Sequence, residues 1–215
     1  RTQEIVYILN NFYNEGKLPV IPIYVDSPLA VNATNIFRLH LDLFNKDVAE
    51  VLEYDEDPFG FGTLRYITNV NHSKSLNNRQ EPCIIISASG MMEAGRVKHH
   101  IANNIDDPKN SILAIGYCAP TTLGARILRG EKEISIFGMP HVVNAEVFSI
   151  DAFSGHADYM EMEEYLRCQN PEKVKKVFIV HGDYNAQLPY SKVLEKAGFK
   201  DIVIPEAGET FKIIS

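Results

Sequence analysis

Tryptophan is absent from this chain of 215 residues, cysteine occurs three times, and no apolar run approaches the roughly 20 residues of a bilayer-spanning helix. The missing run excludes a helical membrane protein. The opening stretch Arg1–Asn10 has neither a signal-peptide apolar region nor a small-residue cleavage site. Cys83, Cys118 and Cys168 are odd in number, far apart and set in apolar surroundings, so no disulfide framework is expected and a reducing cytoplasm is. Positive charge is also scarce: 21 Lys and Arg stand against 28 Asp and Glu, a net charge of −7. That balance argues against a broad cationic face for duplex nucleic acid, and a polyanionic substrate would need a local pocket. What is present is ordinary globular composition, with 45% apolar and 23% charged residues. A chain of this length buries about 70% of its unfolded surface, so one or two domains fit and global disorder does not. Arg1 opens a helical pattern with no cap before it, which reads as a fragment.

The spacing of Ile5, Ile8, Leu9 and Phe12 predicts a helix closed by Gly16. Val20–Val25 is a β-branched and aromatic run, and Pro22 inside it predicts a strand near a sheet edge. Ser27 and Pro28 then form a cap and first turn for a helix carrying Leu29, Ile36, Leu39 and Leu43. Residues 54–63 read as a surface loop with Asp55, Glu56 and Asp57 in solvent. Pro82–Ser87 is a continuous apolar run, the mark of a strand covered on both faces. Helices through Val97 and Ile101 and over Thr121–Arg129 follow, with strands at Ile112–Tyr117, Ile134–Phe137 and Ala145–Ile150. The last third repeats the alternation: a helix through Met160 and Leu166 stopped by Pro171, a strand at Val177–Val180, a helix through Val193 and Leu194, and closing strands near Ile202 and Phe211. The expected class is α/β with a largely parallel sheet flanked by helices.

Ligands of open α/β sheets bind beyond the carboxyl ends of the strands, and the polar clusters of this chain fall there. They are Asp26-Ser27, Ser87–Gly90, Ser154–Asp158 and His181–Asp183. Imidazole titrates near neutrality, so His156 on its Gly-containing loop can move a proton or simply bond loop backbone. His181 is placed to ligate zinc, with Asp183 orienting it or capping the next helix. The hydroxyls and amides of Ser87-Ala88-Ser89-Gly90 could hold a phosphate or could form a capped turn. His99 and His100 are adjacent on a helix, point about 100° apart, and read as surface or packing residues.

The segments Tyr24–Ala30, Ile86–Met92, Phe153–Asp158 and Val180–Asp183, in that order, resemble the β-CASP branch of the metallo-β-lactamase superfamily. They are most similar to prokaryotic RNA-processing exonucleases and to the endonuclease subunit of the eukaryotic cleavage and polyadenylation machinery. The resemblance implies a zinc-dependent RNA hydrolase whose β-CASP domain is inserted into the metallo-β-lactamase domain as a cap over the active-site cleft. Residues 1–146 would then be the cap, and residues 147–215 the C-terminal part of the metallo-β-lactamase domain. By the same resemblance His156 is the catalytic proton donor and His181 a zinc ligand, while Ser87, Ser89, Gly90 and Ser154 face the substrate. Two zinc ions would hold the attacking hydroxide, and single-stranded RNA would be the partner, in the cytoplasm, with self-association left open.

One departure matters. The family's main metal-binding signature, His-x-His-x-Asp-His, does not occur here, and catalytic zinc takes at least three protein ligands. The chain alone is therefore expected to be inactive and to bind zinc weakly. The wording of Gly116–Gly124 also differs from the commoner family form, where an acidic residue and Gly precede the Thr. The alternatives are a non-catalytic RNA-binding scaffold of the same family and a DNA-directed β-CASP nuclease.

Overall fold

A computed structural model describes residues 1–153 and 155–212. The chain divides into two compact units, Arg1–Ser154 and Gly155–Ser215. In the first, helix α1 (Thr2–Asn14) is followed by strand β1 (Ile23–Asp26) and helix α2 (Pro28–Leu39). The Ser27 hydroxyl accepts from the Ala30 amide and Pro28 opens the helix, as the Asp-Ser-Pro turn predicts. Short helices α3 (Lys46–Val51) and α4 (Val70–Leu76) flank strand β2 (Leu64–Tyr66), and β3 (Ile84–Ser87) completes a parallel sheet of order β2-β1-β3. Its strands are in register as Val25 with Tyr66 and Asp26 with Ser87. Ile23, Val25, Leu64, Val6 and Phe59 form the core beneath it.

The edge expectation for Val20–Val25 is corrected. Pro22 stands just before a strand that is central, not lateral, and its carbonyl accepts from the Ile84 amide at 3.0 Å. The ring's missing N–H thus falls outside the β1 ladder, where nothing is lost. β3, by contrast, is an edge strand, and its residues are half-buried.

Two helix faces also differ from their apolar spacing. Leu29, Ile36, Leu39 and Leu43 are exposed, Leu29 and Leu39 at 77% each, and the buried positions of α2 are Ala30 and Thr34. Leu43 lies beyond α2, in a 3-10 turn Leu41–Leu43. The cause is a close approach to α1, where Gln3 Nε2 donates to the Ala30 carbonyl at 3.2 Å and to Thr34 Oγ1 at 3.0 Å. The buried line of α1 is Gln3, Val6 and Asn10. Asn10 and Asn14 both donate to Asp55, so that carboxylate is engaged and not merely solvated. Burial pushes the Asp55 carboxyl up, but the hydrogen bonds from Asn10, Asn14 and the Asp57 amide outweigh it and leave it below the ordinary range. Asp57 likewise holds Arg38 through two bonds, at 2.9 and 2.7 Å.

The rest of the first unit is built from helix α5 (Arg96–Asn104), strand β4 (Ser111–Ile115), helix α6 (Leu123–Leu128), the antiparallel hairpin β5 (Glu133–Ile136) and β6 (Met139–Val142), and strand β7 (Glu146–Ile150). β7 pairs in parallel with β4. Ile101, Ile105, Ala114, Ile127, Ile134 and Ile136 fill the core between these elements.

The second unit holds helix α7 (Tyr159–Leu166), strand β8 (Val177–Phe178), helix α8 (Tyr184–Lys196) and strand β9 (Ile202–Val203), parallel to β8. Ile179, Leu194 and Phe199 are its core. α7 ends at Leu166, ahead of Pro171, which opens a 3-10 turn. No strand forms at Phe211; its ring packs instead against Phe178, with centroids 5.0 Å apart. Parallel pairing in three of the four small sheets among the described residues, and helices between strands, make the chain α/β.

Candidate functional site

In the first unit the polar segment after β3 is pinned at several points along its length. Ser87 is opposite Asp26 in the sheet, and its hydroxyl donates to the Asp26 carbonyl at 2.9 Å. Ser89 closes a turn: its amide and hydroxyl donate to the Ala94 carbonyl at 3.2 and 3.3 Å. The Gly90 carbonyl accepts from Cys118 Sγ at 3.5 Å, and the Met91 carbonyl accepts from the Gly124 amide at 3.0 Å. Gly95 ends the segment at φ +79°, where a Cβ would sit 2.5 Å from the Ala88 carbonyl oxygen. Only glycine allows that approach.

A guanidinium completes this rim. Arg1 Nε donates to the Phe153 carbonyl at 3.0 Å, beyond the end of β7, and Nη1 to the Ile115 carbonyl at 3.3 Å, at the last residue of β4. Its side chain lies against Gly90 and Gly116, where an added Cβ would come within 3.1 and 2.8 Å of guanidinium atoms. Cys118 shares the rim; burial pushes its thiol up, and nearby Arg1 offsets only part of that. Glu93 accepts from the Leu123 amide at 2.7 Å, at the start of α6, and that bond holds its carboxyl below the ordinary range.

Behind the rim lies a buried charge hub. Asp26, with no exposed surface, accepts from Arg96 Nη1 at 2.6 Å, from His100 Nε2 at 2.7 Å and from the Ser73 hydroxyl. Arg96 also donates to the carbonyls of Ile67 and Thr68, and His100 Nδ1 faces Asn77 Oδ1 at 2.7 Å. The hub joins the end of β1 to the first turn of α5 and so clamps the Ser87–Gly95 segment from both ends. Arg96 and His100 are four apart on α5 and share one face, a spacing that the local sequence carries. Arg1 carries no comparable signal, since its neighbours on the rim are distant in sequence.

In the second unit His156 and His181 are both exposed, each three residues ahead of a helix that begins at Tyr159 or Tyr184. Asp158 caps α7 through a reciprocal pair: its carboxylate accepts from the amides of Met160 and Glu161, and Glu161 accepts from its amide. His181 follows β8 at φ +65°, and Gly182 continues the turn at φ +111°. Asp183 precedes α8 but makes no capping hydrogen bond through its side chain. Ser154 lies outside the described residues.

Among the described residues no three His, Cys, Asp or Glu side chains are grouped to hold a metal ion. The donors present therefore do not fit a complete zinc site, which needs at least three protein ligands.

Residues 2–127 match the Beta-Casp domain family. The chain belongs to the β-CASP family. Residues 140–205 of this β-CASP chain match a second family, the Zn-dependent metallo-hydrolase RNA specificity domain. Among curated relatives, Ribonuclease TTHA0252 of Thermus thermophilus is 30% identical over 210 residues, covering 97% of this chain and 47% of the relative. RNase J-like protein of Methanocaldococcus jannaschii is 32% identical over 213 residues, covering 99% and 48%. Transcription termination factor FttA of Methanosarcina mazei is 31% identical over 192 residues, covering 86% and 30%. The chain thus spans about half the length of the first two relatives and less than a third of the last.

Proposed function

We propose that this chain is the RNA-engaging part of a ribonuclease that hydrolyses phosphodiester bonds with zinc as cofactor. Residues 1–146 act as the β-CASP cap and residues 147–215 as the C-terminal part of the metallo-β-lactamase domain. The observation that carries the reading is the rim of the first unit, where the Arg1 guanidinium lies against Gly90 beside the pinned Ser87–Gly95 segment. A guanidinium held against a glycine favours a phosphate in a chain of net charge −7, because a pre-arranged cation binds an anion with little ordering cost. Relatives named ribonuclease and RNase J-like support RNA as the polyanion.

Within this reading Ser87, Ser89, Gly90 and Ser154 border the RNA backbone, His156 transfers a proton to the leaving oxygen, and His181 contributes one imidazole to the metal centre. An alkoxide leaves poorly, so a positioned general acid contributes ~100-fold or more to its departure. Both residues are exposed, as a role toward substrate or metal requires. The other metal ligands come from polypeptide carrying the His-x-His-x-Asp-His sequence, and these 215 residues alone do not cleave.

RNA cleavage and bound zinc, measured for the 215-residue chain and for the polypeptide that includes the histidine–aspartate cluster, test this. Cleavage and stoichiometric zinc are expected only in the longer protein. Robust cleavage by the short chain, or a preference of the longer one for DNA over matched RNA, overturns the proposal.

A further inference from the structure

We propose that Phe137, at the tip of the β5–β6 hairpin, is a stacking platform for an unpaired base of single-stranded RNA, an inference that rests on the ribonuclease reading above. The hairpin pairs Ile136 with Met139, so Phe137 and Gly138 form a two-residue turn. Their φ values are +53° and +79°, the geometry of a type I′ turn. The first position of such a turn favours Asn, Asp or Gly, because a Cβ there crowds the backbone. An aromatic ring is the wrong residue for the turn, and at 55% exposure it contributes little to any core. Local conformation does not account for it, and no apolar core does.

What surrounds the ring does. His99 stacks on it with centroids 4.6 Å apart and planes 28° from parallel, and Lys98 Nζ lies 5.3 Å from its centroid. Both residues are in the first turn of α5, directly after the Ser89–Gly95 segment of the phosphate-facing rim. A strand of RNA whose backbone lies along that segment can therefore extend a base toward Phe137. The ring carries His99 in a stack and Lys98 over it yet remains 55% exposed, and its exposed π-surface can receive a base without sequence preference. Lys98 also donates to the Glu93 carbonyl at 3.2 Å and lies 3.6 Å from its carboxylate, so much of its charge is engaged. The platform acts through stacking more than through phosphate attraction.

The test uses single-stranded RNA carrying 2-aminopurine, titrated into the 215-residue chain and three variants. Phe137→Asn places a favoured residue in the turn, so its melting temperature should equal or exceed that of the parent while RNA affinity falls about tenfold, the scale of one base–aromatic stack. Phe137→Trp should keep the affinity and the fluorescence change, and Phe137→Leu should lose both. The slope of affinity against salt should be the same in all four proteins. Unchanged affinity in Phe137→Asn, or full affinity in Phe137→Leu, overturns the platform, the latter by marking a simple apolar contact. Cleavage by the longer protein separates the two ideas. If it cleaves RNA while Phe137→Asn binds as the parent does, only the platform falls. If it does not cleave yet binding depends on the ring, the platform stands and the ribonuclease reading falls. No RNA binding by any form removes both.

Discussion

Replacing Asp26 tests whether one buried carboxylate holds the β1 end, the α4 helix and the first turn of α5 together. Asp26→Ala removes the carboxylate that Arg96 Nη1, His100 Nε2 and the Ser73 hydroxyl share. The Arg96 and His100 side chains are only 18% and 8% exposed, so little water can replace the lost oxygens. Breaking a buried pair by deleting one partner costs about 3–5 kcal/mol. The low end, about 3 kcal/mol, applies here because Arg96 keeps its bonds to the Ile67 and Thr68 carbonyls. At about 2–4 °C per kcal/mol for a domain of this size, calorimetry should record a fall of roughly 6–12 °C for the first unit. Asp26→Asn keeps the shape but turns an N–H₂ toward donors, and should cost about 2 kcal/mol. Pairing Asp26→Ala with Arg96→Met in a double-mutant cycle should return a coupling above about 1 kcal/mol. A loss below about 1 kcal/mol in Asp26→Ala, with no coupling to Arg96, would refute the hub.

Gly95→Ala should destabilise by more than about 1 kcal/mol in chemical denaturation, since the added Cβ meets the Ala88 carbonyl oxygen at a positive φ. Asp106 accepts from His141 at 2.7 Å, and that bond above all holds its carboxyl below the ordinary range. Its stabilising contribution is therefore complete above the unfolded value of about 3.9 and fades as pH falls through the folded one, so Asp106→Asn should flatten the acid limb of a stability curve taken below about pH 4. In the longer enzyme, His181→Ala should lower zinc content, whereas His156→Ala should cut turnover ~100-fold with metal retained; an unchanged rate removes the proton-transfer role. Ser89→Ala should weaken RNA binding in a filter assay more than it alters metal content.

The local signals that proved readable are those completed within a few residues. Ser27 and Pro28 cap α2 as their order predicts, and apolar runs became strands wherever they were short and β-branched. What could not be read locally is pairing across the chain: Asp26 meets Ser73, Arg96 and His100 at separations of 47, 70 and 74 residues, and no periodicity encodes that. Two of the signature segments, Tyr24–Ala30 and Ile86–Met92, lie side by side because the turns after β1 and β3 are adjacent in a parallel sheet.

The faces of α1 and α2 failed for a separate reason. Counting apolar residues assumes that a helix buries its largest hydrophobic side chains, yet a close helix pair needs small or hydrogen-bonding ones at the contact. Gln3, Ala30 and Thr34 satisfy each other there and push Leu29 and Leu39 outward. The same logic applies to Phe137, since a residue that local rules would reject persists where something beyond the local chain requires it. At α1 and α2 that requirement is visible as a hydrogen-bonded contact. At the hairpin tip the ring meets His99 and Lys98 yet stays 55% exposed, which is why it is assigned to a ligand.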